Sequence, residues 1–224
     1  MINTNDVLIF FGAILLYIIG SFIIAVSLIP SYFLFIQFLQ TRNLFLMLFG
    51  FAFSYFIFGI TLMFVAALVV RVFRIRLMPG TYKIGGKESL IWLLNAGFIS
   101  LVRFLFLPFT RSSINVFFYK LLGAKIGKNV IINTTCVYDV HLLEIGDNTV
   151  IGGDAAIIGH SAEGDKLIIA PVKIGKNVSI GQYATVLPGA IIEDGAIIGA
   201  MSLVPKFTRV KKGVWGGVPI RRLK

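Results

Sequence analysis

The chain is short of the groups that most soluble folds use. Its 224 residues contain one cysteine, Cys136, which excludes both an intramolecular disulfide framework and a cysteine zinc finger. Only 14% of the residues are charged, against roughly 25% in an ordinary soluble domain. Acids are the scarcer sign: 10 Asp and Glu face 21 Lys and Arg, for a formal charge of +11. Histidine occurs twice, at His141 and His160. With 57% hydrophobic residues the chain is not disordered, because disorder needs the reverse balance of apolar and charged groups.

The charges that are present avoid the N-terminal third. Residues 7–41 hold no Asp, Glu, Lys, Arg or His, and after Arg42 the same is true of residues 44–70. A bilayer core of roughly 30 Å needs about 20 apolar helical residues. Residues 7–29 and 44–70 therefore read as two spanning helices, the first ending at Pro30. Residues 31–40 stay apolar and either lengthen that helix or lie at the interface. A signal peptide fits the first run poorly, since no basic n-region precedes it. Arg71, Arg74, Arg76, Lys83 and Lys87 follow the second run, whereas the loop before it offers only Arg42. By the positive-inside rule this places the C-terminal part on the cytoplasmic side of a multi-pass membrane protein. A third apolar stretch, residues 91–109, carries Asn95, Arg103 and Pro108. It reads as an in-plane amphipathic helix with Arg103 and Lys120 reaching lipid phosphates, and a third span is the alternative. The basic excess is thus assigned to membrane lipid. No nucleic-acid motif accompanies it, so no nucleic-acid partner is expected.

From residue 126 the periodicity changes. Ile174, Ile180, Val186, Ile192, Ile198 and Val204 recur every six residues, and Val178, Ala184, Ala190, Ala196 and Ser202 follow four places after the first five. Upstream, Ile126 and Ile132, then Ile145, Ile151 and Ile157, keep the same step. A helix repeats at 3.6 and a strand at 2.0, so a period of six requires a short strand plus a tight corner. A parallel β-helix supplies that unit. The pairs Lys128-Asn129, Asp147-Asn148, Gly153-Asp154, Lys176-Asn177, Pro188-Gly189 and Asp194-Gly195 occupy the corner positions. A type II turn wants φ > 0 at its second central residue, which Gly, Asn and Asp tolerate best. The expected organisation is a transmembrane helical hairpin (1–75), an amphipathic helical linker (76–122), the β-helix (123–206) and a basic tail (207–224). Linker and tail would cover the open ends of the coil.

These motifs bring the sequence to a known family. GHSAEGDKLIIAPVKIGKNVSIGQYATVLPGAIIEDGAIIGAMSLV resembles the second half of maltose, galactoside, nodulation and polysaccharide acetyltransferases. Those proteins carry Gly-His, a loop, P-V-x-I-G-x-N-V-W-I-G, a P-G corner and a G-x-P-A tail, here Gly216-Gly217-Val218-Pro219. The whole chain, through MPGTY and LLGAKIGKNV, is similar to acyltransferase-like terminal domains of polylysine-type peptide synthetases. The resemblance implies a left-handed parallel β-helix of hexapeptide repeats, acting as a homotrimeric, CoA-dependent acyltransferase. Two positions depart from the pattern: Ser179 stands where the family has tryptophan, and Pro205 where it has threonine.

The hexad run breaks between Ile157 and Ile174, at Gly159-His160. A loop leaving a rigid scaffold is a usual place for reactive groups. By the resemblance His160 is the catalytic general base, and imidazole suits the task because its pKa lies near working pH. Glu163, three residues along, is a candidate to hold it. Asn133 and Asp139 match the acceptor-binding strand, with Asp139 either holding the acceptor or orienting His160 from a neighbouring subunit. Both residue types also favour turns. Cys136 reads as a small buried hydrophobe. Acetyl-CoA, the implied donor, would lie in a groove between subunits. Gly181, Ala184, Gly199 and Ala200 are expected to wall its pantetheine, and Lys206, Arg221 and Arg222 to meet its phosphates. No metal is expected, since zinc carbonic anhydrases of this fold need three histidines. The acceptor implied is a lipid-linked or polysaccharide-precursor saccharide bearing a hydroxyl or amine. Amide formation on an aminoacyl carrier and a non-catalytic membrane trimer remain as alternatives.

Overall fold

A computed structural model describes residues 4–110 and 112–223. They form two compact units, one holding residues up to 75 with 93–108, the other residues 76–92 with 109 onward. In the first, helices α1 (Thr4–Gln40) and α2 (Leu44–Val72) pack against each other. Asn43 caps α2 by accepting the Leu46 N–H at 3.2 Å. Helix α1 runs through Pro30 rather than ending there. Proline removes one N–H, whereas a full break in an apolar stretch would strand several backbone groups. Residues 31–40 consequently lengthen the helix. Gly50 makes room for the Phe38 ring and Gly59 for the Phe106 ring, so a Cβ at either position would collide with an aromatic side chain.

Helix α3 (Lys87–Leu105) forms where an amphipathic helix is expected. Its residues from 93 onward lie in the first unit, where Asn95 donates to the Ile75 carbonyl and Tyr55 to that of Leu105. Among the described residues, three helices, Phe10–Gln40, Leu44–Val72 and Lys87–Leu105, are long and apolar enough to cross a membrane. The rings of Phe10, Tyr17, Phe22, Phe45 and Phe51 are largely exposed on α1 and α2, a density of apolar surface that suits lipid rather than water.

The second unit is a three-sided coil of short parallel strands. The chain visits three sheets in turn, and each strand pairs with one from the coil before and the coil after. The registers stack the apolar residues of the repeat into columns: Ile145–Ile174–Ile192–Val210, Ile132–Ile151–Ile180–Ile198, and Ile157–Val186–Val204. All are buried, as are the smaller Val178, Ala184, Ala190, Ala196 and Ser202. Each buried aliphatic side chain contributes about 1.5–3 kcal/mol. At the corners Asn129, Asn148, Asp154, Asn177, Gly189 and Gly195 have positive φ, as the turn pattern requires. Tyr183, Met201 and Phe207 take the same conformation, which the turn rule does not anticipate.

Both ends are covered. Helix α4 (Ser113–Leu121) buries Phe118 and Tyr119 at the first coil, where Ser112 Oγ accepts the Ile132 N–H at 3.2 Å. Beyond residue 206 the strands Arg209–Val210 and Gly213–Gly216 continue the parallel sheets, and Arg221–Arg222 closes the edge antiparallel to Gly213–Gly216. The tail is therefore part of the coil's end.

The interruption of the repeat is a β-hairpin rather than an open loop. Strand His160–Glu163 pairs antiparallel with Lys166–Ile169, which pairs in turn with Gly80–Lys83. The last strand falls within the segment expected to be a helical linker. Its burial alternates, so one face packs inward in the manner of a strand. Under this small sheet Leu77, Leu167 and Ile169 form a buried cluster, against which Tyr82, Ile84, Ile91, Trp92 and Leu142 pack.

Candidate functional site

The break in the coil brings together three segments distant in sequence. Asp139 precedes a single turn of 3-10 helix, Val140–Leu142, and sits in the left-handed region at φ 51°. Aspartate tolerates that conformation because its short side chain bonds locally. Gly159 lies directly against it: a Cβ at 159 would stand 2.8 Å from the Asp139 Cβ. Glycine before the histidine is thus a steric requirement, and it lets His160 begin its strand beside the carboxylate.

Asp139 Oδ2 lies 2.6 Å from His160 Nδ1, and Asp139 Oδ1 accepts the Trp92 indole N–H at 3.1 Å. The Asp139 side chain is 4% exposed and that of His160 23%, so the pair has a buried end and an open end. An ionised carboxylate only accepts hydrogen bonds, so Nδ1 carries the imidazole proton. Nε2 then presents a lone pair, and among the described residues no protein group occupies it. Two rings flank the imidazole edge-on, Trp92 at 4.8 Å and Tyr138 at 5.9 Å. The arrangement can take a proton from a group arriving at Nε2 while the buried carboxylate stabilises the resulting cation.

The other expected site residues fall in different places. Glu163 does not hold His160; its carboxylate accepts from Ser161 at 2.8 Å and pairs with Lys206. Residues 160 and 163 stand at opposite ends of one strand, so geometry separates them. Asp139 belongs to the same chain as the histidine it contacts. Asn133 is exposed at the end of strand Ile131–Ile132, and its backbone N–H bonds the Ile151 carbonyl. The Ala184 methyl is fully buried inside the coil and cannot wall an external groove. Gly181 is a coil-to-coil contact, since a Cβ there would meet the backbone of Ala200. Gly199 lies against the Trp215 carbonyl, and Ala200 is exposed. Lys206 is engaged by Glu163, whereas Arg221 and Arg222 are exposed on the terminal strand. Trp92 was not anticipated from sequence. Nothing in its apolar stretch distinguishes an indole that reaches a carboxylate from one that fills a core.

His141, next but one to Asp139, has a different role. Its Nε2 lies 2.8 Å from the Leu77 carbonyl. Burial depresses its pKa below the ordinary histidine value, outweighing the opposing pull of that carbonyl and of Asp139. The neutral ring therefore clips residue 77 to the coil. An unfolded histidine takes up its proton near pH 6.5, and the folded one only lower. The clip's contribution is then fully present above about pH 6.5 and declines as pH falls through the depressed folded value. Thermal melting temperature should fall with pH over that window, and His141→Gln, which keeps an N–H donor without titrating, should flatten the slope. An unchanged slope would assign the acid sensitivity elsewhere. Among the described residues no three His, Cys, Asp or Glu side chains gather as a metal ligand set.

Part of the coil is similar in sequence to known proteins. A family described as "Bacterial transferase hexapeptide (six repeats)" matches residues 171–206. The chain is 32% identical over 107 residues to galactoside O-acetyltransferase of Escherichia coli (strain K12), covering 44% of this chain and 52% of that one. It is 26% identical over 156 residues to delta-poly-L-ornithine synthetase of Acinetobacter baumannii (strain AB307-0294), covering 69% of this chain and 12% of the synthetase. It is also 36% identical over 81 residues to the mitochondrial gamma carbonic anhydrase 2 of Arabidopsis thaliana, 36% of this chain and 25% of that one. The chain thus spans less than two thirds of each of these relatives. Among solved structures, a hexapeptide-repeat containing acetyltransferase of Vibrio cholerae O1 biovar eltor, complexed with acetyl coenzyme A, is 26% identical. It has a TM-score of 0.42 and covers 46% of this chain and 60% of that one.

Proposed function

We propose that the chain is a membrane-anchored, CoA-dependent acyltransferase of the hexapeptide-repeat kind with His160 as general base, a reading supported by the repeat match over residues 171–206. The coil is read as a left-handed parallel β-helix that assembles as a homotrimer. Helices α1 and α2 form the anchoring hairpin, with the coil on the cytoplasmic side. The acceptor is a hydroxyl or amine on a lipid-linked or polysaccharide-precursor saccharide, and holding enzyme and acceptor on one membrane raises their effective concentration. The observation that carries the reading is the Asp139–His160 pair with Nε2 open.

The steps balance. An acceptor hydroxyl or amine gives its proton to Nε2 of His160 as its oxygen or nitrogen bonds the acyl carbon of the thioester. The carbon–sulfur bond breaks, and His160 returns the proton to the leaving sulfur. Asp139 keeps Nδ1 protonated throughout and offsets the charge on the ring. Arg221 and Arg222, exposed on the terminal strand, suit the anionic end of the donor.

Acetyl-CoA should stabilise the full-length protein in detergent. At a hundredfold excess over Kd the gain is about 2.7 kcal/mol, read as a rise in melting temperature. Mass spectrometry of the purified protein should also recover a CoA thioester. Neither stabilisation at millimolar acetyl-CoA nor a copurifying thioester would leave the non-catalytic scaffold as the better account. The ornithine-polymer synthetase relative supports a second reading, amide formation on an aminoacyl carrier, because that similarity covers 69% of the chain, including residues before the coil. Acyl transfer to amino-acid amines in preference to saccharides would select it.

A further inference from the structure

The carboxylate behind His160 is held from two sides, and one of those holds comes from outside the repeat. Oδ2 faces the imidazole and Oδ1 faces the Trp92 indole. A carboxylate's terminal torsion is broad and roughly two-fold, so a single hydrogen bond leaves its orientation loosely set. A second donor, arriving on the other oxygen, fixes it. Trp92 is itself fixed, because its ring packs on the cluster built from Leu77, Leu167 and Ile169. Its ring also packs against the imidazole, with centroids 4.8 Å apart, limiting rotation of His160 on that side.

We propose that Trp92 is a positioning residue: its N–H fixes the Asp139 carboxylate so that Nδ1 of His160 keeps its proton and Nε2 stays turned to the acceptor. The inference rests on His160 being the base. Trp92 touches no reacting atom and acts through Asp139. The site is consequently incomplete in the coil alone and needs the first turns of α3, where Trp92 sits. Losing a hydrogen bond to a carboxylate lowers a rate by at least about tenfold.

Trp92→Phe keeps an aromatic ring and removes the donor. Benzothienylalanine at position 92, which replaces the N–H by sulfur with the ring shape retained, serves if the phenylalanine variant does not fold. Two measurements on the full chain in detergent decide the matter. The first is the proton NMR signal of the His160 Nδ1–H, assigned by its loss in His160→Gln. It should shift and exchange faster with solvent in either Trp92 variant, and an unchanged signal would overturn the proposal. The second is steady-state thiol release from acetyl-CoA. kcat should fall at least about tenfold with KM for acetyl-CoA unchanged. In an Asp139→Asn background the same Trp92 substitution should cause no further loss, because its path to His160 is already cut. Multiplying losses would instead mark Trp92 as a packing residue. If His160→Gln keeps its turnover, the general-base reading fails, yet the NMR result still reports whether Trp92 orders the imidazole.

Discussion

Replacing His160 with alanine is expected to lower acetyl transfer on the order of 10³-fold, the range for loss of a positioned general base. The fold should survive, because residue 160 enters its sheet through backbone pairing with Ile169, which a methyl side chain permits. A cost to stability is still expected. Asp139 would lose one of its two partners while remaining buried, and an unsatisfied buried group costs about 1–3 kcal/mol. His160→Gln separates the two effects: its amide can donate to Asp139, but it has no lone-pair nitrogen to accept a proton. Both variants should be inactive in thiol release from acetyl-CoA with a panel of saccharide acceptors. Only the alanine variant should melt lower. Turnover retained in both would remove His160 from the chemistry and favour the scaffold reading.

The coil was legible because its physical cause is periodic. Inward residues every six places and turn-tolerant residues at the corners both follow from one geometry, and the buried columns through Ile174, Ile180 and Val186 reproduce it. The two long apolar helices were legible from the absence of charge. What did not show was the pairing of segments far apart in sequence. Strand Gly80–Lys83 has only four residues and no partner nearby in the chain, so no local pattern announces it. Glu163 is a candidate holder of His160 because the two lie close in sequence, yet a strand carries residue 163 away toward Lys206. The small size of Ala184 suits a groove wall, whereas its place among the buried small residues of the repeat points inward. The break at Gly159-His160 locates the hairpin that leaves the coil. The partners of His160, Asp139 and Trp92, become its neighbours only through the fold.

That fold-dependent pairing sets up the sharpest test of the dyad. Asp139→Asn is nearly isosteric and keeps an oxygen able to accept the Trp92 N–H. Its second terminal atom is then an amide nitrogen facing Nδ1 of His160. Two donors cannot meet, so the imidazole must move its proton to Nε2 and present an N–H where a lone pair is needed. The same swap in a serine-protease triad lowers kcat about 10⁴-fold through the wrong tautomer. Here the loss should approach that of His160→Ala, on the order of 10³-fold, with binding of acetyl-CoA retained in a thermal-shift assay. Asp139→Glu should also fail, since a longer side chain in the left-handed turn beside Gly159 has no room to keep both partners. A modest loss in Asp139→Asn, tenfold or less, would mean that the carboxylate only tethers the ring and that His160 selects its tautomer by some other contact.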